Sequence, residues 1–285
     1  MTAPTAPDGP TLTYVYAVTP PAPGLGESLG GLAGVADSPV ALLVPTAGGT
    51  AAPVAFVVSD VPRAEWAEEV LRERFEDLRW LEDTARAHHR VIEALAARTT
   101  VLPLRLATLY ADRTRALQAL EEQGQDFAGQ LARLSAHTEY GVKVYVRPSP
   151  PAGTTAPAGP ATPEPAAGPA QAGAGRAYLR ARRAQHEARE GHYRQAQLAA
   201  DRIAGIALRC AAQQVRHSPQ AGPLAAGADG ENVLNDAFLV PDDRAEAFRA
   251  AVRGAAEDLP GIRLEVTGPW APYSFAAAPP TPPAP

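Results

Sequence analysis

Residues 147–175 read RPSPPAGTTAPAGPATPEPAAGPAQAGAG. Almost every residue is Pro, Ala, Gly or Thr, and nothing in the stretch offers apolar surface to offset the entropy of ordering it. It is expected to be a disordered linker, extended by its prolines at about 3.1 Å per residue, and it divides the chain in two. The expected layout is an N-terminal domain over 12–146, the linker over 147–175, a C-terminal domain over 176–275 ending in an aromatic segment, and a disordered tail, AAAPPTPPAP, over 276–285. Two domains also suit a length of 285 residues, which exceeds what one core usually serves.

On the N-terminal side, YVYAV (14–18), VALLV (40–44) and VAFVVS (54–59) read as strands. Gly24, Gly26 and Gly30 after the first strand have the spacing GxGxxxG and lead to another strand, so the dinucleotide fingerprint, which opens a helix, is not met. From Arg63 the period changes: Val70, Leu71, Phe75, Leu78, Leu81, Ala85, His88, Ile92 and Leu95 recur at three and four residues, one apolar stripe on an amphipathic helix of about thirty residues. His88 lies on that stripe and is expected to be buried and hydrogen-bonded. His89 and Glu93 share another face, but two ligands do not make a metal site, and HEAREGH (186–192) lacks the HExxH spacing. TVLPLRLATLY (100–110) alternates like a strand, and Pro103 implies an edge. Arg105, on its polar side, is expected to tie down an acidic neighbour or backbone carbonyls. Asp112 is placed to cap a second helix carrying Leu117, Leu120, Phe127, Leu131 and Leu134. GVKVYV (141–146) then reads as the closing strand. Helices covering an antiparallel or mixed sheet give an α+β domain of ferredoxin-like character.

On the C-terminal side, RAYLRARRAQHEARE begins a charged helix that runs on through Ile203, Ile206 and Cys210, with Gly191 as a candidate break. VLNDAFLV (233–240) is a strand. Asp242 or Asp243 is expected to cap a helix carrying Phe248, Val252, Ala255 and Leu259 and ended by Gly261, and IRLEVT (262–267) closes a smaller α/β domain of helix, strand, helix and strand. Beyond it, TGPWAPYSF (267–275) gathers three aromatics in a chain that is only 6% aromatic. Two roles fit Trp270, Tyr273 and Phe275: a latch whose rings fill a groove on the protein's own surface, or a partner contact. The latch is the favoured reading and requires Trp270 to be substantially buried. No internal repeat is evident.

Composition narrows the function. A net charge of -5, with 46% apolar and 20% charged residues, opposes a nucleic-acid binder, which needs a basic surface. No stretch approaches the roughly 20 consecutive apolar residues of a membrane span. MTAPTAPDGP lacks the basic start and apolar core of a signal peptide, so a cytoplasmic address is expected. Cys210, the single cysteine, allows neither an intrachain disulfide nor a cysteine zinc site. No nucleophile with a paired base is found, so no enzyme, metal or cofactor is expected. The rival readings are an enzyme, favoured if His88, Glu93 and Arg105 converge in a cleft, and a small-molecule-binding module on a ferredoxin-like domain.

YVYAV, DLRWLEDTARAHHRVIEAL leading into TVLPLRLATLY, TEYGVKVYV, RAYLRARR, VLNDAFLV and TGPWAPYSF, taken together and in this order, resemble the gas vesicle protein F/L family across both domains. The resemblance implies a cytoplasmic accessory or minor structural protein of gas vesicles. It would bind the small hydrophobic shell protein, and other accessory proteins, and prevent aggregation of the shell protein during nucleation and assembly. It brings no catalytic residues with it. Such a task calls for an apolar groove or a free strand edge, for which the Pro103 edge strand and the aromatic terminal segment are the candidates.

Overall fold

The computed structural model describes residues 9–45, 53–147, 171–219 and 230–276. The chain forms two compact units. One runs up to Glu139 and resumes at Gly268, and the other is Tyr140–Thr267.

The first unit is built on β1 (Thr11–Thr19), whose nine residues are buried almost throughout. After a short helix α1 (Leu25–Leu29) come β2 (Ala41–Leu43) and β3 (Ala55–Pro62), then three helices, α2 (Arg63–Trp66), α3 (Glu68–Arg74) and α4 (Leu78–Ala96). Two short strands, β4 (Leu102–Pro103) and β5 (Leu109–Tyr110), both pair with β1, and α5 (Arg113–Glu122) and α6 (Gly124–Leu134) follow. The sheet order is β2-β3-β1-β4, with antiparallel pairs throughout. Asp112 caps α5 as expected, accepting from Arg115 N at 2.8 Å, but the single helix expected from there to Leu134 is two, α5 and α6, parted at Gln123.

Three further expectations for this unit are corrected. The thirty-residue helix is three helices, because Ala67 takes an extended ψ of 152° and Asp77 starts α4 afresh by accepting from the amides of Arg79 and Trp80. The apolar stripe therefore splits: Ile92 and Leu95 stay in the core, while Phe75 and Leu78 turn outward. TVLPLRLATLY is two strand fragments joined by a turn, in which Ala107 has φ 59° and the Arg105 carbonyl accepts from Thr108 N and Oγ1. GVKVYV closes no sheet here, since its strand lies in the second sheet.

In the core of the first unit, Tyr14 and Tyr16 stand 4.8 Å apart on β1, where a bulge skips Tyr16 in the pairing with β3. The Tyr16 hydroxyl accepts from Val35 N and donates to Ser59 Oγ, both at 2.9 Å, and Ser59 Oγ donates to the Pro39 carbonyl at 2.8 Å. The Tyr14 hydroxyl accepts from Ala107 N at 3.1 Å, which leaves its proton for His88 Nδ1 at 2.8 Å. Burial raises both phenols, Tyr16 to about 12. Burial also lowers His88 to about 4, with the Leu104 carbonyl opposing the shift and the neighbouring His89 adding to it.

The second unit contains β6 (His137–Val146) from Tyr140 on, the 40-residue α7 (Gln171–Cys210), β7 (Gln213–His217), β8 (Glu231–Pro241), α8 (Ala245–Gly254) and β9 (Ile262–Trp270) up to Thr267, in the sheet order β7-β8-β6-β9. Tyr140, Val142, Val144 and Val146 of β6 pack with Ile203 and Ile206 of α7 and Phe248 and Val252 of α8. Both sheets thus place their first, second, third and fourth main strands in one spatial order, a structural repeat with no counterpart evident in the sequence. Of the expected linker, residues 148–170 and, of the tail, 277–285 lie outside the described residues, whereas 171–175 belong to α7. Gly191 does not break α7. The aspartates after β8 lie in a 3-10 turn (Asp242–Arg244), and α8 stops at Gly254, before Gly261. β9 continues three residues past the expected strand, to Trp270. Among the described residues no helix is long and apolar enough to cross a membrane.

Two measurements test the tyrosine network. A Cβ on Gly34 would collide with the Tyr16 hydroxyl and lie 2.7 Å from Ser59 Oγ. Gly34→Ala is therefore expected to destabilise by about 1–3 kcal/mol in denaturant melts, and Tyr16→Phe in the same chain should recover part of that loss. His88 binds a proton less readily in the folded state than in the unfolded one, so its contribution is intact above pH 6.5 and lost as pH falls from there to about 4. The loss is about 3 kcal/mol. Urea melts across this window should show a steeper decline for the wild type than for His88→Gln, and parallel curves would refute the assignment.

Candidate interaction surface

The C-terminal segment returns to the first unit and is held there by three elements. Ala271 joins that unit's core, and Phe275 is 3% exposed. Glu139, at the start of β6, takes two hydrogen bonds from one residue, Ser274 N at 2.8 Å and Ser274 Oγ at 2.7 Å. Arg133 of α6 donates to the Phe275 carbonyl at 3.2 Å. Tyr273 meets α4, its hydroxyl 3.1 Å from His89 Nδ1, and the other nitrogen of His89 lies 3.1 Å from Glu93 Oε1. Burial raises the Tyr273 phenol, and the carboxylates of Glu93 and Glu139 add to the shift.

The C-terminal segment is tied to the first unit, but not as the expected three-ring latch. Trp270 is 39% exposed and Tyr273 37%, so the requirement that Trp270 be buried is not met. The indole ring centre lies 5.9 Å from that of His89, and the Tyr273 ring, tilted to the same imidazole, lies at 5.8 Å. The segment is anchored by Phe275, Ala271 and the Glu139 carboxylate, and it presents an exposed Trp–His–Tyr cluster. Sequence reasoning overlooked Glu139, for nothing local marks a glutamate that binds a residue 135 positions later.

Pro103 is buried on β4 and pairs opposite Ala17, at the end of the sheet order, so the edge assignment agrees with the structure. Its burial removes it as an exposed contact. Arg105 is exposed and its side chain makes no hydrogen bond or ion pair among the described residues, contrary to the expected tie. His88, Glu93 and Arg105 form no common cluster: His88 is bonded to Tyr14, and Glu93 pairs with His89. No group of three or more His, Cys, Asp or Glu side chains is gathered as metal ligands among the described residues.

The chain is a mixed helix-and-sheet protein with a re-entrant, aromatic C-terminal strap. The family described as gas vesicle synthesis protein GvpL/GvpF matches residues 12–277, and the chain belongs to that family. It is 40% identical over 265 residues to gas vesicle protein L of Streptomyces sp. (strain CB03234), covering 93% of this chain and 92% of that one. It is 29% identical over 279 residues to gas vesicle protein F of the same strain, covering 92% and 98%. Its fold matches the crystal structure of GvpF from Anabaena sp. PCC7120 with a TM-score of 0.59 at 17% identity, over 94% of this chain and 97% of that one. GvpF from Microcystis aeruginosa matches at 0.57 and 16%, over 95% and 100%.

The strap geometry fixes an order of mutational costs. Phe275→Ala is expected to cost about 3–5 kcal/mol, whereas Trp270→Ala should cost about 1 kcal/mol or less, because much of the indole already meets water. Thermal melts of the two variants giving equal losses would show that the anchor is misassigned.

Proposed function

We propose that this chain is an accessory protein of the gas vesicle that binds the hydrophobic shell protein and keeps it from aggregating during nucleation and assembly. Family membership carries the role in the gas vesicle. The observation that supports a holding surface is the exposed cluster of Trp270, Tyr273 and His89, mounted on a strap whose other residues are tied down. Exposed aromatics on a fixed backbone are what interfaces use as anchors, since little conformational freedom remains to be lost on binding. The reading takes the protein as a non-enzymatic component of the cytoplasm, with both units ferredoxin-like, an arrangement supported by the strand order shared by the two sheets.

Co-expression of the shell protein with this chain is expected to keep it in the soluble fraction after centrifugation. The double variant Trp270→Ala with Tyr273→Ala should melt within about 2 kcal/mol of the wild type yet lose most of that protection. Equal pelleting of the shell protein with and without the wild-type chain would overturn the holding role.

A further inference from the structure

Two surfaces, one on each unit, are left without a partner and are complementary in charge. The first lies where α3 gives way to α4. Phe75 is 43% and Leu78 79% exposed. Phe75 packs edge-on to Trp80, with ring centres 5.9 Å apart, and Trp80 lies 5.5 Å from the buried Trp66. The Arg74 guanidinium stands 5.5 Å from the Trp80 ring centre. An exposed aliphatic beside a Trp–Phe–Arg cluster has the composition of an interface centre. Its surroundings are acidic: residues 65–83 carry eight carboxylates and three arginines. Two of those arginines, Arg72 and Arg74, are already paired, with Glu68 and Glu65, while Glu69, Glu73, Glu76 and Asp83 are exposed without an ion pair among the described residues.

The second surface is the N-terminal half of α7. Among its described residues the first buried position is Ala196, and those from Leu179 to Glu190 are all exposed. Ala-, Arg- and Glu-rich sequence makes this half a good helix former, but among its described residues none joins the core of its own unit. Leu179, 63% exposed, heads a run, residues 179–184, with three arginines and no carboxylate. Arg182 and Arg183 make no ion pair among the described residues, whereas Arg189 and His186 further along are paired with Glu231 and Glu190.

We propose that the basic arm of α7 in one copy docks on the acid-rimmed Phe75–Leu78 patch of a second copy. Leu179 supplies the apolar contact, and Arg182 and Arg183 face the rim. The contact is heterologous, head to tail, so each copy keeps one free patch and one free arm and the association extends to short chains. The inference goes beyond the shell-protein reading and does not depend on it.

The test is sedimentation velocity on the full chain over roughly 1–200 μM, the range in which a contact smaller than a standard interface dissociates. The wild type is expected to self-associate with rising concentration, and less so at high salt, because the rim charges are exposed. A patch variant, Phe75→Ser with Leu78→Asp, and an arm variant, Arg182→Glu with Arg183→Glu, should each weaken self-association by ~10-fold or more and melt like the wild type, since every altered residue is exposed. Mixed in equal amounts, the two variants should form a one-to-one complex, for each retains the half the other lacks. A wild type that stays monomeric throughout, either variant associating as well as the wild type, or a mixture that stays monomeric beside an associating wild type would each overturn the proposal.

Discussion

A phenol buried in the middle of a sheet has to find its hydrogen-bond partners inside the protein, and β1 carries two of them. Leaving such a hydroxyl unpaired costs on the order of 1–3 kcal/mol, so the parts that reach Tyr14 and Tyr16 are fixed by that need. Tyr16 draws in the amide of Val35 and the hydroxyl of Ser59, which sets the path of the chain between α1 and β2. Tyr14 draws in the Ala107 amide on one side and His88 on the other. The left-handed Ala107, unfavourable for a residue with a Cβ, is held because the turn delivers its N–H to the phenol. The same turn places the Thr108 carbonyl on Val15 N, and Leu104 N on the Tyr16 carbonyl, so the sheet edge and the tyrosine network are one construction. α4 has its register set from the same point, because His88 must face β1 for the bond to Tyr14 to form.

The first unit is discontinuous in sequence, and a carboxylate joins its two pieces. Glu139 is the last residue before the chain enters the second unit, and Ser274 comes after the return at Gly268. Hydrogen bonds to a charged acceptor are worth about 1.5–3 kcal/mol each, and Glu139 receives two of them while nearly buried. That energy is local, whereas closing the long loop between the two pieces has an entropic cost that grows only slowly with length. The intervening unit can therefore carry a segment as extensive as 147–175 without the closure becoming prohibitive.

Whatever depends on local periodicity was legible in the sequence. Short apolar runs bounded by turn residues marked β1, β3 and β8, the stripe through His88, Ile92 and Leu95 marked α4, and Asp112 marked the start of α5. What was not legible depends on partners distant in the chain. Val142, Val144 and Val146 alternate as any strand does, and nothing in that alternation says which sheet takes them. The break before α4 is silent because Glu76 and Asp77 read as outward positions of one continuous helix, so the stripe reads on through Phe75 and Leu78. β7, QQVRH, is an edge strand with polar outward positions and has too little apolar pattern to read. Among the three terminal aromatics, composition gave no reason to bury Phe275 and expose Trp270. The difference lies in where Glu139 and Arg133 fix the backbone. The strand order common to both sheets left no sequence repeat because the connections differ in size: a five-residue helix follows β1, and a forty-residue helix follows β6.

The division of labour within the strap follows from these placements. Had all three rings been buried, the segment would be core and nothing more. Had all three been free, a mobile tail would lose its conformational freedom on every encounter, at about 1–2 kcal/mol for each backbone residue ordered. Burying Ala271 and Phe275 and bonding Ser274 through both its amide and its hydroxyl orders the backbone once, during folding. Trp270 and Tyr273 are then steadied by the shared His89 ring between them, itself held by Glu93. Two large amphipathic side chains are left exposed in fixed positions.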